Sequence, residues 1–178
     1  MSGPRLLSQR IAEGDGIAII AQIDTVEAAR AAEQHGAKGV ALQRPLDGIR
    51  DATSLPLLWL GHGAPADADA LALRPSDVEA DLRLETVVEV RDADELEEAL
   101  ERLDPGIFLL VGRVDDELDP LDAVLELLAD VPAGKLAIAR CDASTRDDVL
   151  TLERAGVDAV LVLAGRVADL VGHAPVDV

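Results

Sequence analysis

The segment LETVVEV at residues 84–90 is followed by RDADELEEALERL at residues 91–103 and GIFLLVG at residues 106–112. The first and third segments are apolar and rich in β-branched residues, which is typical of buried strands. The acidic segment between them has the composition of a helix with one solvated face. The same alternation continues with KLAIAR at residues 135–140 and DAVLVLA at residues 158–164. Repetition of strand, helix and strand predicts right-handed crossovers that build a parallel sheet.

Four further strands are expected before this region. The eight predicted strands are residues 17–24, 39–43, 55–60, 68–73, 86–90, 107–111, 135–140 and 159–163. The clear helices are residues 25–35, 92–103, 119–129 and 144–155. Connections between the second and fifth strands have room for only one or two helical turns. A helix at residues 4–13 is expected to close the bottom of the resulting barrel.

Eight parallel strands with intervening helices predict a (β/α)8 TIM barrel that occupies residues 1–178 as one domain, with residues 1–15 as an N-terminal helix and lead-in. The chain has 178 residues, whereas such barrels usually take about 250. We therefore expect shortened or missing helices between strands 2 and 5. The alternative is an open doubly wound sheet, which is disfavoured because no glycine-rich dinucleotide turn follows the first strand.

Two of the predicted helices carry capping signals. Thr25 is expected to be the N-cap of the helix at residues 25–35, and Gly36 to follow its C-terminal end. Ser144 is expected to begin the helix at residues 144–155, with Asp147 as the acidic partner of a capping box.

Composition and charge exclude several classes of function. The net charge of −19, from 35 acidic and 16 basic residues, disfavours binding to nucleic acid or to an anionic membrane. One cysteine and three scattered histidines predict neither a disulfide nor a metal site, and no cofactor is expected. No apolar run reaches the roughly 18–20 residues of a membrane span, and the N-terminus lacks the apolar middle of a secretory signal. We expect a cytoplasmic protein, either a monomer or a weak homodimer.

Several segments resemble indole-3-glycerol phosphate synthase, a barrel enzyme of tryptophan biosynthesis. LETVVEVRDADELEEAL, from residue 84, resembles its fifth strand–helix unit, and STRDDVLTLERAGVDAVLVLAGRV, from residue 144, resembles its seventh and eighth units. IAIIAQID at residues 17–24 resembles its first strand, and SLPLLWL at residues 54–60 resembles its third. The resemblance implies a barrel of the ribulose-phosphate-binding type. It also implies a carbon–carbon lyase that closes an indole ring with loss of carbon dioxide and water.

Most positions at which the resemblance implies catalytic residues carry other side chains. The first-strand Glu and Lys correspond to Gln22 and Asp24. The Lys that acts as general acid corresponds to Leu60, or to Trp59 if the register slips by one. The Asn of the sixth strand corresponds to Val111. Leucine and valine have no proton to donate, so the resemblance implies loss of the acid–base chemistry.

The remaining positions differ in the same way. The Ser-Glu-Ser-Gly run after the seventh strand corresponds to residues 139–142, and the phosphate-binding Gly and its neighbour correspond to Leu163 and Ala164. Glu89 and Arg113 stand where the family has the same residue types. Glu89 is thus the one candidate catalytic residue, as a proton shuttle, with the role of ion-pair partner as the alternative.

Arginine recurs at the predicted strand ends, on the face where such barrels hold their ligands: Arg44, Arg74, Arg91, Arg113, Arg140 and Arg166. Three acidic residues lie among them: Asp24, Glu89 and Asp142. In one interpretation these charges pair with one another and plug the mouth of the barrel with salt bridges. In the other, a small phosphorylated or carboxylated ligand is held by three arginines: Arg113, Arg140 and Arg166.

Three further residues near the strand ends allow a chemical or a structural role. Gln22 either hydrogen-bonds a ligand or caps arginine side chains. His62 is either a general base or a loop residue. Cys141, beside Arg140, is either a reactive thiol of lowered pKa or a small buried filler.

The sequence therefore predicts a catalytically degenerate relative of this family, a pseudoenzyme whose mouth is closed by salt bridges. Two alternatives stay open. One is an active lyase or isomerase on a phosphorylated sugar-like substrate that uses Glu89 with Arg140 and Arg166. The other is a small-anion binding or protein-interaction module.

Overall fold

The computed structural model describes residues 6–61, 67–77, 84–113 and 117–171. In it, eight parallel strands form a closed barrel in the order of the chain. The strands are β1 Ala18–Gln22, β2 Gly39–Leu42, β3 Leu57–Trp59, β4 Ala70–Leu73, β5 Glu85–Val90, β6 Ile107–Val111, β7 Leu136–Arg140 and β8 Ala159–Leu163. The barrel closes where β1 pairs with β8, from Ala18 opposite Ala159 to Gln22 opposite Leu163. This closure confirms the predicted (β/α)8 barrel and excludes the open sheet.

Helices cover the outside of the barrel. They are α1 Leu7–Ala12, α2 Val26–Gln34, α3 Ile49–Ala52, α4 Ala93–Arg102, α5 Pro120–Ala129, α6 Arg146–Ala155 and α7 Val167–Leu170. Between β2 and β5 the described residues contain only the single turn of α3 and a 3₁₀ turn at Pro75–Asp77. The predicted shortening of this part is therefore confirmed in the described residues. Across the described ranges, each helix is too short or too polar to cross a lipid bilayer.

Alternation of side chains along the strands divides the core into two layers. Inward side chains fill the barrel, with small residues such as Ala41 and Ala70 beside larger ones such as Leu58. Outward side chains, such as Phe108 and Val160, pack beneath the helices. Burying one large aliphatic or aromatic side chain contributes about 1.5–3 kcal/mol. The barrel therefore depends on the alternating pattern as a whole.

The N-terminal helix closes one end of the barrel, here called the floor. Leu7 and Ile11 of α1 are buried and belong to the cluster that fills the barrel interior. The Ser8 backbone N–H donates to Glu85 Oε1 at 3.1 Å, and the Ser8 hydroxyl donates to the other carboxylate oxygen. Glu85 begins β5, so this contact fixes the helix to the sheet. The predicted closing role of the N-terminal helix is confirmed over Leu7–Ala12.

The predicted caps of α2 are confirmed. Thr25 Oγ1 accepts a hydrogen bond from the Ala28 backbone N–H at 3.1 Å. Gly36 follows the helix with a φ of 97°, which is the left-handed conformation that glycine adopts without a steric cost.

The predicted cap of α6 was wrong by one residue. The N-cap is Thr145, whose hydroxyl accepts from the Asp148 N–H at 3.1 Å, while Asp148 Oδ2 accepts from the Thr145 N–H at 3.0 Å. Ser144 and Asp147 have the same chemistry one position earlier, so local sequence did not distinguish the two registers. The helix begins at Arg146, which makes Thr145 the cap and Asp148 its acidic partner three residues later.

Candidate ligand site at the barrel mouth

The mouth of the barrel is the end opposite the floor, where the strands reach their carboxyl termini. Eight positions form its inner ring, one at the carboxyl end of each strand and each two residues beyond a member of the interior cluster: Gln22, Gln43, Leu60, Arg74, Glu89, Val111, Arg140 and Leu163. Barrels of this type carry their ligand-binding and catalytic groups at this end. The inner ring combines three aliphatic side chains with two amides, one carboxylate and two guanidinium groups.

The aliphatic side chains of the inner ring differ in exposure. Leu60 and Val111 are partly buried and pack on the interior cluster, whereas Leu163 is 63% exposed. Trp59 is 4% exposed and packs in the outer layer. Leu60, and not Trp59, therefore occupies the inward position that the resemblance assigns to the general acid.

The carboxylate of the inner ring is engaged by a neighbour from the end of the same strand. Glu89 Oε1 accepts from Arg91 Nε at 2.9 Å and from Arg91 Nη2 at 2.7 Å. The Glu89 side chain is 14% exposed and the Arg91 side chain 43% exposed. Glu89 is thus a partly buried member of an ion pair at the rim.

The Arg140 guanidinium of the inner ring has an amide as its hydrogen-bond partner. Arg140 is half-buried at the end of β7, and its Nη2 donates to Gln22 Oε1 at 3.4 Å. Barrel closure brings these two residues together across 118 positions of sequence. None of the carboxylates in the described residues lies within the 4.0 Å ion-pair distance of Arg140. The structure therefore brings Arg91 to Glu89 but does not bring Arg140 to an acidic partner.

Three other arginines at strand ends are engaged by partners outside the inner ring. Arg74 pairs with the Glu95 carboxylate, and this hydrogen bond raises the pKa of Arg74. Arg113 lies 3.7 Å from the Asp92 carboxylate. Arg166 Nη1 donates to the Ser144 backbone carbonyl at 3.4 Å. Arg140 is consequently the arginine of the ring whose hydrogen-bond partner, Gln22, also stands in the ring.

Cys141 and Asp142 follow Arg140 in the loop after β7. Cys141 is 5% exposed, and burial raises the pKa of its thiol to about 11. The thiol alternative of lowered pKa was therefore wrong, because desolvation raises the pKa of the Cys141 thiol and nearby carboxylates, such as those of Asp148 and Asp142, raise it further. The buried-filler interpretation is confirmed. Asp142 is exposed, with a φ of 51°. The resemblance implies a glycine there, and glycine adopts this conformation more readily.

Histidine and metal chemistry do not enter the described part of the mouth. His62 lies outside the described residues, and His35 is an exposed residue at the C-terminal end of α2. In residues 6–61, 67–77, 84–113 and 117–171, no group of His, Cys, Asp or Glu side chains is arranged to hold a metal ion.

A cavity of about 280 Å³ lies between the carboxyl ends of β1 and β2, here called the β1–β2 cavity. It is lined by Gln22, Ile23, Asp24, Gln43, Arg44, Pro45 and Leu46. The sequence marked Gln22, Asp24 and Arg44 individually as mouth residues but did not group them. The available signal was their place at the ends of two strands that neighbour one another in a parallel barrel.

A closed parallel barrel with polar groups gathered at the carboxyl ends of its strands defines the class of this protein as a compact (β/α)8 barrel. The chain is 40% identical over 81 residues to the indole-3-glycerol phosphate synthase of Variovorax paradoxus. This match covers 46% of the chain and 30% of the Variovorax enzyme. It is 33% identical over 129 residues to the indole-3-glycerol phosphate synthase of Albidiferax ferrireducens, and this match covers 66% of the chain and 49% of that enzyme. It is 29% identical over 150 residues to the indole-3-glycerol phosphate synthase of Acidithiobacillus ferrooxidans, and this match covers 73% of the chain and 56% of that enzyme.

The protein is thus a relative of indole-3-glycerol phosphate synthase. It spans between 30% and 56% of the length of these three relatives. No protein-family model matches the chain.

Proposed function

We propose that this barrel does not catalyse the indole ring closure for which its relatives are named, and that it instead retains the scaffold as a ligand-binding protein. One observation carries the proposal. The inward side chains at the positions of the general acid, the strand-6 amide and the phosphate site are Leu60, Val111 and Leu163. General acid–base catalysis contributes about 10²–10⁴-fold for each positioned group, and an aliphatic side chain contributes none of it.

Glu89 does not compensate for these replacements. Both hydrogen bonds from Arg91 fall on one oxygen of its carboxylate, so any role as a base would compete with an ion pair. This also disfavours the alternative of a lyase or isomerase that relies on Glu89. The barrel can tolerate such losses because its stability comes from the interior and the floor, whereas its chemistry belongs to the mouth.

Purified protein incubated with the anthranilate-bearing ribulose phosphate tests the proposal. We expect no indole product, with the Albidiferax ferrireducens enzyme as the positive control. Turnover within about a hundredfold of an ordinary enzyme rate of ~10 s⁻¹ would refute the proposal. The Leu60→Lys variant sharpens the result, because restoring one amine without the other groups should still yield no turnover.

A second function, binding of a small anion at the mouth, is supported by the surroundings of Arg140. A partly buried charge is costly unless it is paired, yet Arg140 contacts an amide in a chain that has 35 acidic residues. A carboxylate or phosphate group of a ligand would complete its hydrogen bonds, since guanidinium binds both through parallel N–H donors.

Thermal unfolding with acetate or phosphate as the probe tests this second function. A hundredfold excess over Kd should stabilise the protein by about 2.7 kcal/mol. Arg140→Ala should abolish this stabilisation and leave the unliganded protein as stable as before, whereas Arg102→Ala on the exposed face of α4 should change neither. A loss of about 3–5 kcal/mol in unliganded Arg140→Ala would instead indicate a buried ion-pair network.

A further inference from the structure

The β1–β2 cavity contains opposite charges that do not pair with each other. Asp24 and Arg44 both line it, and both are exposed. Neither makes an ion pair within 4.0 Å with any described residue. Two complementary groups on one small cavity that remain apart leave space for a ligand that carries both charges.

The orientation of Gln22 adds a donor to the same cavity. Arginine has only N–H donors, so the oxygen of the Gln22 amide must face Arg140, as the contact at 3.4 Å shows. Gln22 lines the cavity, and its NH₂ group donates to no other described residue, so it is free to donate to a ligand. Gln43, on the other strand end, provides a second amide.

The rest of the lining is apolar. Ile23 is 5% exposed, and it lines the cavity together with Pro45 and Leu46. Small-molecule sites typically combine such apolar walls with a few polar groups that fix the orientation of the ligand. The cavity of about 280 Å³ is suited to a molecule of amino-acid size rather than to a large phosphorylated sugar.

We propose that the β1–β2 cavity binds a small zwitterion with an aliphatic side chain, of the α-amino acid class. Its carboxylate faces Arg44 and the Gln22 amide, its ammonium faces Asp24, and its aliphatic side chain contacts Ile23, Pro45 and Leu46. This inference goes beyond the small-anion function at Arg140, because the cavity is lined by Arg44 and Asp24 and not by Arg140. The carboxylate of Asp24 distinguishes the two ligand classes, because it attracts an ammonium group and repels a simple anion.

Titration calorimetry with three matched probes tests the assignment: L-leucine carries both charges, 4-methylpentanoate only the carboxylate, and 3-methylbutylamine only the ammonium. We expect L-leucine to bind more tightly than either single-charge probe. The difference should be about fivefold for each missing charge, the upper end of what an exposed ion pair contributes. Asp24→Asn should abolish the advantage of L-leucine over 4-methylpentanoate, and Arg44→Gln its advantage over 3-methylbutylamine. Asp51→Asn, an exposed change on α3, is the matched control and should change nothing.

The possible failures are distinguishable. Equal binding of 4-methylpentanoate and L-leucine by the unaltered protein would overturn the zwitterion assignment but leave the anion function intact. Absence of binding by all three probes at about 10 mM, well above a millimolar Kd, would overturn the zwitterion assignment, whereas the anion function is judged separately by phosphate and Arg140→Ala. Binding of L-leucine that is insensitive to Asp24→Asn and Arg44→Gln would place the ligand elsewhere and overturn the site. A melting curve of each variant confirms that it is folded before it is titrated.

Discussion

The floor and the mouth of this barrel differ in what their side chains do. At the floor, α1 inserts Leu7 and Ile11 into the interior cluster, and both are almost fully buried. At the mouth, Leu163 is 63% exposed and Arg140 contacts an amide rather than a carboxylate. The interior and the floor therefore stabilise the scaffold, while the inner ring can change its chemistry at little cost to the stability of the fold. Such a separation supports the proposed function, in which the scaffold is kept while the chemistry of the mouth changes.

The largest expected effect compares two leucines on the same strand. Leu161 is 3% exposed in the interior, and Leu163 is 63% exposed at the mouth. Leu161→Ala should destabilise the protein by about 2–5 kcal/mol because it leaves a cavity. Leu163→Ala should stay within about 0.5 kcal/mol of the unaltered protein, as most exposed substitutions do. Urea unfolding followed by the fluorescence of the single tryptophan measures both, and equal losses would remove the distinction between the two ends.

The next effect concerns the N-terminus of α6, which begins shortly after β7. Thr145→Ala should destabilise the protein by about 1 kcal/mol, since it removes an N-cap hydroxyl. Ser144→Ala should cost less, because the Ser144 backbone N–H, which donates to Asp148 Oδ2 at 3.0 Å, is kept by the substitution. Chemical denaturation of the two variants in parallel checks this order. A larger loss for Ser144→Ala than for Thr145→Ala would support the sequence-based prediction that Ser144 is the N-cap.

Asp148 should make the same helix start sensitive to acid. The Ser144 backbone N–H and the other donors at the cap lower the pKa of Asp148. Because the folded-state pKa lies below the unfolded value of about 3.9, this stabilisation is present at neutral pH and is lost as the pH falls through the folded pKa. The stability of Asp148→Asn should therefore depend less on pH below about 4, as measured by melting temperature against pH. An acid limb unchanged by the substitution would contradict this.

The smallest effect is expected for the ion pair at the rim of the mouth. Arg91→Gln should cost less than about 1 kcal/mol, because the pair is partly exposed and water screens it. The cost should fall further in about 1 M salt, where the Debye length is near 3 Å. Arg102→Gln, in the exposed pair with Glu98 on α4, provides the control. A cost above about 3 kcal/mol would indicate a buried salt-bridge plug. The mouth would then contribute to the stability of the fold, as the floor does.

Much of the scaffold was predictable from local sequence. The predicted strands at residues 107–111 and 159–163 coincide with β6 and β8, because short apolar runs bounded by turn and helix signals leave little choice of bounds. The prediction at residues 17–24 was too long, since β1 is Ala18–Gln22. An apolar run does not reveal where pairing with neighbouring strands ends. The cap of α6 was misplaced by one residue because Ser144 and Asp147 offer the same capping chemistry as Thr145 and Asp148.

The candidate site was predictable only in part. The residues at the strand ends were identified one by one, since polar side chains after apolar strands are evident in the sequence. Their partners were not, because the contact of Gln22 with Arg140 spans 118 positions and depends on closure of β1 onto β8. The grouping of Asp24 with Arg44 around one cavity likewise depends on the two loops lying side by side.

The amino-acid sequence by itself determined most of the strands and helices and the residue types at the strand ends, because hydrophobic periodicity and residue identity are local properties. Only the tertiary structure decided that Leu60 faces the interior while Trp59 faces outward, because a shift of one residue moves a side chain to the other face of the sheet. Only the tertiary structure left Arg140 beside an amide and Asp24 apart from Arg44. Charges pair through space, and the closed barrel determines which of them come within reach.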